Sequence, residues 1–127
     1  LPAGDRLGTL AGHETAVSSL AFLDEGSTLA SLGYEGAIKF WDTETWQERR
    51  TVRPQGAPVR GLAFSADGAA AAVGVEGAVE VWSMADWSLE AELPVGTKAV
   101  NGMAFSGDGR WLAVGAADGK IRVWDRV

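Results

Sequence analysis

The strongest constraint on this chain is an internal period of 41 to 42 residues. Phe22, Phe64 and Phe105 are 42 and 41 residues apart, and Trp41, Trp82 and Trp124 are 41 and 42 apart. Val17, Val59 and Val100 keep the same step, as do Gly36, Gly77 and Gly119. A unit this short cannot bury a sheet face by itself, so successive units must stack on one another.

Inside each unit the apolar residues alternate with a period of two, which makes strands, and no stretch carries a helical stripe. In "VSSLAF" (17–22), "VRGLAF" (59–64) and "VNGMAF" (100–105) the alternation puts Leu20 with Phe22, Leu62 with Phe64 and Met103 with Phe105 on one face. Small residues occupy the other face. The turns "LDEG" (23–26), "SADG" (65–68) and "SGDG" (106–109) follow, where glycine supplies the positive φ of a tight hairpin. A second strand leads to Glu35-Gly36, Glu76-Gly77 or Asp118-Gly119, and a third ends on tryptophan in "EGAIKFWD" (35–42), "EGAVEVWS" (76–83) and "DGKIRVWD" (118–125). A fourth, more polar strand is expected at 46–52 and 87–93, as suits an outermost position.

Four short antiparallel strands per unit, with Gly12-His13, Trp41-Asp42 and Trp124-Asp125 at the landmark positions, resemble the WD40 family of β-propellers. The resemblance covers essentially the whole chain and implies an all-β fold of three propeller blades, strands a to d running from axis to rim. Leu10, Val52 and Leu93 each lie seven residues before the valine that opens strand a. The chain therefore divides into an outer strand d at about 6–10, repeat one at 11–52, repeat two at 53–93, and repeat three at 94–127 without its own strand d.

Family repeats often contain a buried hydrogen-bonded set of His, Asp, Ser or Thr, and Trp. In this chain the set is scattered: His13 and Trp41 share a repeat whose turn holds Glu35, whereas Asp118 and Trp124 share one with Gly96 at the His position. The middle repeat has Gln55, Glu76 and Ser83 at the corresponding places. No repeat has the full set, so the expectation is that this network is not what holds each blade together. His13, Trp41, Trp82, Trp124 and Asp118 are read as structural: the lone histidine lacks partners for a metal or a nucleophile relay, the tryptophans recur once per unit as packing groups do, and Asp118 shapes a turn.

Three blades fall short of a propeller, which has typically about four to eight. Uncovered blade faces and an unpaired edge would be an aggregation hazard. The expected partner is the chain itself, head to tail, two copies giving six blades or three giving nine, with residues 6–10 covering the open edge after Trp124. The competing expectation is that these residues belong to a longer propeller.

Composition limits function more than it defines it. Seventeen acidic and eleven basic residues give a net charge of -6, which disfavours nucleic acid and anionic lipid as partners. No apolar run is long enough to span a membrane, and the absence of cysteine excludes disulfides and thiolate metal sites. The expectation is a soluble protein, cytoplasmic rather than secreted, with no metal, no cofactor and no catalytic residue.

A repeated scaffold can vary where it recognises something. Ser18, Arg60 and Asn101 lie beside the strand-a valines, and Glu14, Ala57 and Lys98 precede them in the d-to-a loops. The resemblance implies that this rim is the surface most used for partners. Trp46 and Trp87 open the outer strand where family members frequently have glycine, so they are expected to be more exposed than the strand-c tryptophans and are further candidates for partner contact. The leading expectation is a non-enzymatic scaffold offering this rim to a protein or peptide. The alternatives are an enzyme or small-ligand propeller that uses the central channel, and a self-assembling ring with no partner.

Overall fold

The computed structural model describes all residues except 1–3, 5, 7, 54–58, 97, 98 and 127. Its sheets follow the sequence period. Strands β1 (Val17–Leu23), β2 (Thr28–Gly33), β3 (Ile38–Asp42) and β4 (Glu48–Val52) form the first antiparallel sheet in chain order. The second consists of β5 (Gly61–Phe64), β6 (Ala70–Val75), β7 (Ala78–Ser83) and β8 (Leu89–Pro94). The third has three strands, β9 (Val100–Phe105), β10 (Trp111–Ala116) and β11 (Ile121–Asp125). The element between strands that is helical in character is a 3-10 turn at Asp24–Gly26.

Glycine closes the hairpins where the turns demand it. Gly26, Gly68 and Gly109 after strand a, and Gly36, Gly77 and Gly119 before strand c, all have positive φ. The fourth strands start two residues later than the alternation suggested, at Glu48 and Leu89, because Trp46 and Trp87 sit in the preceding turn with φ of 57° and 55°. That conformation favours glycine and is uncommon for a side chain as large as tryptophan.

The core lies between the sheets. One cluster joins Ala30, Leu32, Ile38 and Phe40 of the first sheet to Val73, Val75 and Trp82 of the second, with Leu62, Phe64 and Trp87 packed against it. The other joins Val79 and Val81 of the second sheet to Leu112 and Val114 of the third, with Met103, Phe105 and Trp124 alongside. So the large residues of strand a look back to the preceding blade, and those of strand c look forward to the next. The middle sheet is covered on both faces, and all six positions of β6 are buried.

The outer faces repeat this pattern with no neighbour among the described residues. Leu20 and Phe22, equivalent to the packed Leu62 and Phe64, are 63% and 64% exposed. Ile121 and Val123, equivalent to the buried Val79 and Val81, are 76% and 58% exposed. Strand β11 is the edge of its sheet, and Arg6 and residues 8–10, in the segment expected to be an outer strand, lie outside every strand.

Candidate functional site

Repeat one holds a hydrogen-bonded chain running from its core to its upper loop. Trp41 Nε1 donates to Ser31 Oγ at 2.9 Å, and Ser31 Oγ lies 2.6 Å from His13 Nε2. On the other side of the ring, His13 Nδ1 stands 3.1 Å from Glu35 Oε1. A neutral ring with its proton on Nδ1 satisfies every member: Trp41 donates to Ser31, Ser31 to Nε2, and Nδ1–H to the carboxylate. Glu35 Oε1 also accepts the Glu14 N–H at 3.0 Å, and Thr15 Oγ1 accepts the Glu35 N–H at 2.8 Å. Burial of the carboxylate opposes its ionisation, but the hydrogen bonds from His13 and the Glu14 N–H outweigh that and hold its pKa below the ordinary 4.5.

A relay thus forms in blade one with glutamate in the place of aspartate, a substitution the sequence reading did not anticipate. Glutamate reaches the place of aspartate because the strand position two before it, Gly33, has no side chain. A β-carbon there would overlap the Glu35 carboxylate. Repeat three, with the shorter Asp118, has Ala116 at that position.

The other two repeats treat the same positions differently. In the strand register the place of Ser31 is taken by Val73 and Val114. Trp82 Nε1 turns to Glu80 Oε1 at 3.3 Å. Asp118, with no histidine facing it, takes Arg122 Nη2 at 2.8 Å and the Lys120 N–H at 3.0 Å. The guanidinium hydrogen bond, helped by that backbone donor, lowers the Asp118 pKa to about 2. The buried relay is thus a property of blade one.

Above it lies the candidate rim. Glu14, Ser18, Arg60 and Asn101 are all exposed. Ser18 Oγ donates to the Leu32 carbonyl at 3.2 Å, and the Arg60 N–H to the Gly74 carbonyl at 2.6 Å, so both are anchored at the mouth of strand a. Ala57 and Lys98, and Gln55 at the middle repeat's His position, lie outside the described residues. Among the described residues no three His, Asp or Glu side chains gather in a metal-binding group, and no helix is long and apolar enough to cross a membrane.

The two turn tryptophans part company. Trp46 is 40% exposed and borders a groove of about 420 Å³ with Gly8, Thr9 and Leu10. Trp87 is half-buried, still more exposed than the buried Trp41 and Trp82. It stacks on Trp82 with ring centres 5.8 Å apart, and meets Phe40 edge-on at 6.3 Å. Its Nε1 is buried without an acceptor among the described residues. The left-handed turn folds the indole back over strand c, an effect that alternation along a strand does not reveal.

The WD domain, G-beta repeat family (WD40) matches residues 4–42 and 87–125, more than half of the chain. The chain belongs to the WD40 family. The first match runs from the N-terminal segment through β3 and the second from the turn before β8 through β11, whereas the middle WD40 unit, with Glu76 and Ser83, lies largely between them.

Periodic tryptophan protein 2 homolog of Schizosaccharomyces pombe is 43% identical over 67 residues, covering 51% of this chain and 8% of that protein. Eukaryotic translation initiation factor 3 subunit I of Candida albicans is 42% identical over 65 residues, covering 51% and 18%. The solved structure of U3-55K superposes with a TM-score of 0.81 at 22% identity, and that of the RRP9 WD40 repeats with 0.82 at 23%. Each covers 92% of this chain, which in turn spans 38% and 37% of those chains. These likenesses establish the propeller fold. The chain spans less than a fifth of the length of the curated relatives named here.

Proposed function

We propose that this WD40 chain is a non-catalytic scaffold whose upper rim binds a protein or peptide. The observation that carries this reading is a contrast between equivalent positions. The three blades agree on valine, phenylalanine, glycine and tryptophan, yet beside the strand-a valines stand three different polar side chains, Ser18, Arg60 and Asn101, all exposed. Packing does not require that variety, and recognition uses it. Glu14 adds an acid to the same rim, and Ala57 and Lys98 belong to it by alignment. Selection of peptides from a displayed library tests the proposal: binders should lose at least tenfold in affinity on a triple Ser18→Ala, Arg60→Ala, Asn101→Ala variant. Binders indifferent to that variant would remove the rim from consideration.

The ring is proposed to close head to tail through copies of the chain. Leu20 and Phe22 on one outer face match in kind the residues that pack against strand c elsewhere, and Ile121 and Val123 on the other match those that receive them. Such a contact is heterologous, and two copies give a six-bladed ring. Residues 8–10 of one copy would then lie along β11 of the other, Leu10 opposite Ile121 as Val52 is opposite Ile38 and Leu93 opposite Val79. Native mass spectrometry should find twice 13.3 kDa. A monomer at tens of micromolar would overturn closure by self-association.

A further inference from the structure

The outer strands of the first two sheets hold the same place but carry opposite charge. Strand β4 contains Arg49 and Arg50, with Arg53 just beyond it, whereas β8 has Glu90 and Glu92 and ends on Pro94. Arg49 corresponds to Glu90 and Arg53 to Pro94, since Val52 faces Ile38 as Leu93 faces Val79. All three arginines are exposed, in a chain whose net charge is -6.

The acids beside them are already engaged. Glu48 takes the Lys39 ammonium and the Thr51 hydroxyl. Asp42 Oδ1 caps the Glu44 and Thr45 N–H groups, and its other oxygen reaches Arg49 Nε only at 3.9 Å. Among the described residues no carboxylate forms an ion pair with Arg50 or Arg53. Strand β4 is also the edge of its sheet: β3 pairs with one side, and no strand of the described residues pairs with the other. Arg49 is the extra residue of a bulge, because Trp41 faces Glu48 and Phe40 faces Arg50. The regular part of the edge therefore runs from Arg50 toward Arg53.

We propose that this edge takes an extended acidic segment of a partner protein as an added strand. Charge on an edge strand ordinarily deters pairing, and these arginines deter a second β4. Toward a strand that bears carboxylates they do the reverse. Backbone hydrogen bonds give an added strand its affinity, and guanidinium groups, which hold a carboxylate through two parallel N–H···O bonds, select for Asp and Glu. Successive strand residues project to opposite faces, so Arg50 and Arg53 are answered by a segment with acids on both of its faces. The β8 edge is closed to the same segment: Glu90 and Glu92 repel it, and Pro94 has no N–H to offer. The site is thus particular to blade one. It is separate from the mouth of strand a, and neither the rim reading nor ring closure enters into it.

The probe is a synthetic peptide of glutamate and threonine with glutamate on both strand faces, titrated into the isotopically labelled chain. Saturable binding is expected, with amide hydrogen exchange slowed at least tenfold within Arg50–Arg53, which ionic attraction without strand pairing does not produce. A peptide of equal charge with proline at alternate positions, and one with lysine in place of glutamate, should each bind at least tenfold more weakly. Arg50→Glu combined with Arg53→Glu should abolish binding. Equal binding of the proline peptide, tighter binding of single-stranded RNA of equal charge, or no slowing of exchange within Arg50–Arg53 would each overturn the proposal. Protection centred on Ser18 and Arg60 would overturn it while supporting the rim. The peptide comparisons use the unaltered chain, so they decide even if the double variant does not fold.

Discussion

Gly33 and Glu35 form a matched pair in which the glycine leaves the space that the carboxylate occupies. A β-carbon on Gly33 would overlap Glu35, although the backbone there is ordinary strand that alanine could adopt. Gly33→Ala should therefore destabilise the chain through overpacking, by about 1–3 kcal/mol. Glu35→Asp in the same molecule should recover much of that loss, because Ala116 with Asp118 is the combination repeat three already uses. A double-mutant cycle by urea denaturation measures the coupling.

The relay behind that pair depends on Ser31, which links Trp41 to His13. Ser31→Ala should cost about 1–3 kcal/mol, since the buried Trp41 N–H loses its acceptor. An apolar side chain is already native at the equivalent Val73, where Trp82 has Glu80 instead. Thermal melts of Ser31→Ala and of a control change in a solvent-facing serine would separate the relay from a generic effect.

Trp46 and Trp87 share a left-handed backbone but differ in surroundings, so one substitution should have two outcomes. Trp46→Gly relieves a conformation that costs a side chain about 1 kcal/mol and gives up an exposed ring. Its stability should stay within about 1 kcal/mol of the parent. Trp87→Gly also gains backbone freedom but removes the stack on Trp82, and a loss of about 3 kcal/mol is expected. Equilibrium unfolding of both variants makes the comparison.

Glu80 stands directly across from Glu92 in adjacent strands. Burial, and then the neighbouring Glu92 charge, raise its pKa above the ordinary 4.5 against the pull of the Trp82 hydrogen bond. A raised carboxylate pKa costs stability above the folded-state value, and the cost disappears below 4.5. Glu80→Gln, whose carbonyl can still accept from Trp82, should stabilise the chain at pH 7 by about 0.5 kcal/mol. The gain should vanish in melts run below pH 4.5.

Asp118 is the opposite case. Its pKa falls from 3.8 to about 2 beside Arg122, so it stabilises the fold above 3.8, and that contribution is lost as pH falls through about 2. Asp118→Asn should melt earlier than the parent at pH 5 to 7 and match it at about pH 2. High salt should narrow the difference, because the pair is partly open to solvent.

The strands, their order and the facing of Leu62, Phe64, Val79 and Val81 were legible in the sequence because period-two alternation and glycine turns report directly on backbone geometry. The relay was not, because it depends on how far a glutamate reaches and on what Gly33 omits. A trace of it was present all the same: glycine two before glutamate, alanine two before aspartate. The stack of Trp87 on Trp82 was hidden for a related reason, since a left-handed residue sends its side chain where no strand pattern points. The rim could be located but not interpreted, because exposed polar side chains leave no imprint on packing.

Consider finally the middle sheet, enclosed on both sides while each outer sheet is enclosed on one. Local opening follows the number of covered faces, so the free energy of exposing an amide should be greatest along β6 and decline toward both ends. The molecule is in that sense a stiff hub with two compliant arms. The arms carry the uncovered faces proposed to close the ring, and their give would let those faces adjust on contact without loosening the centre.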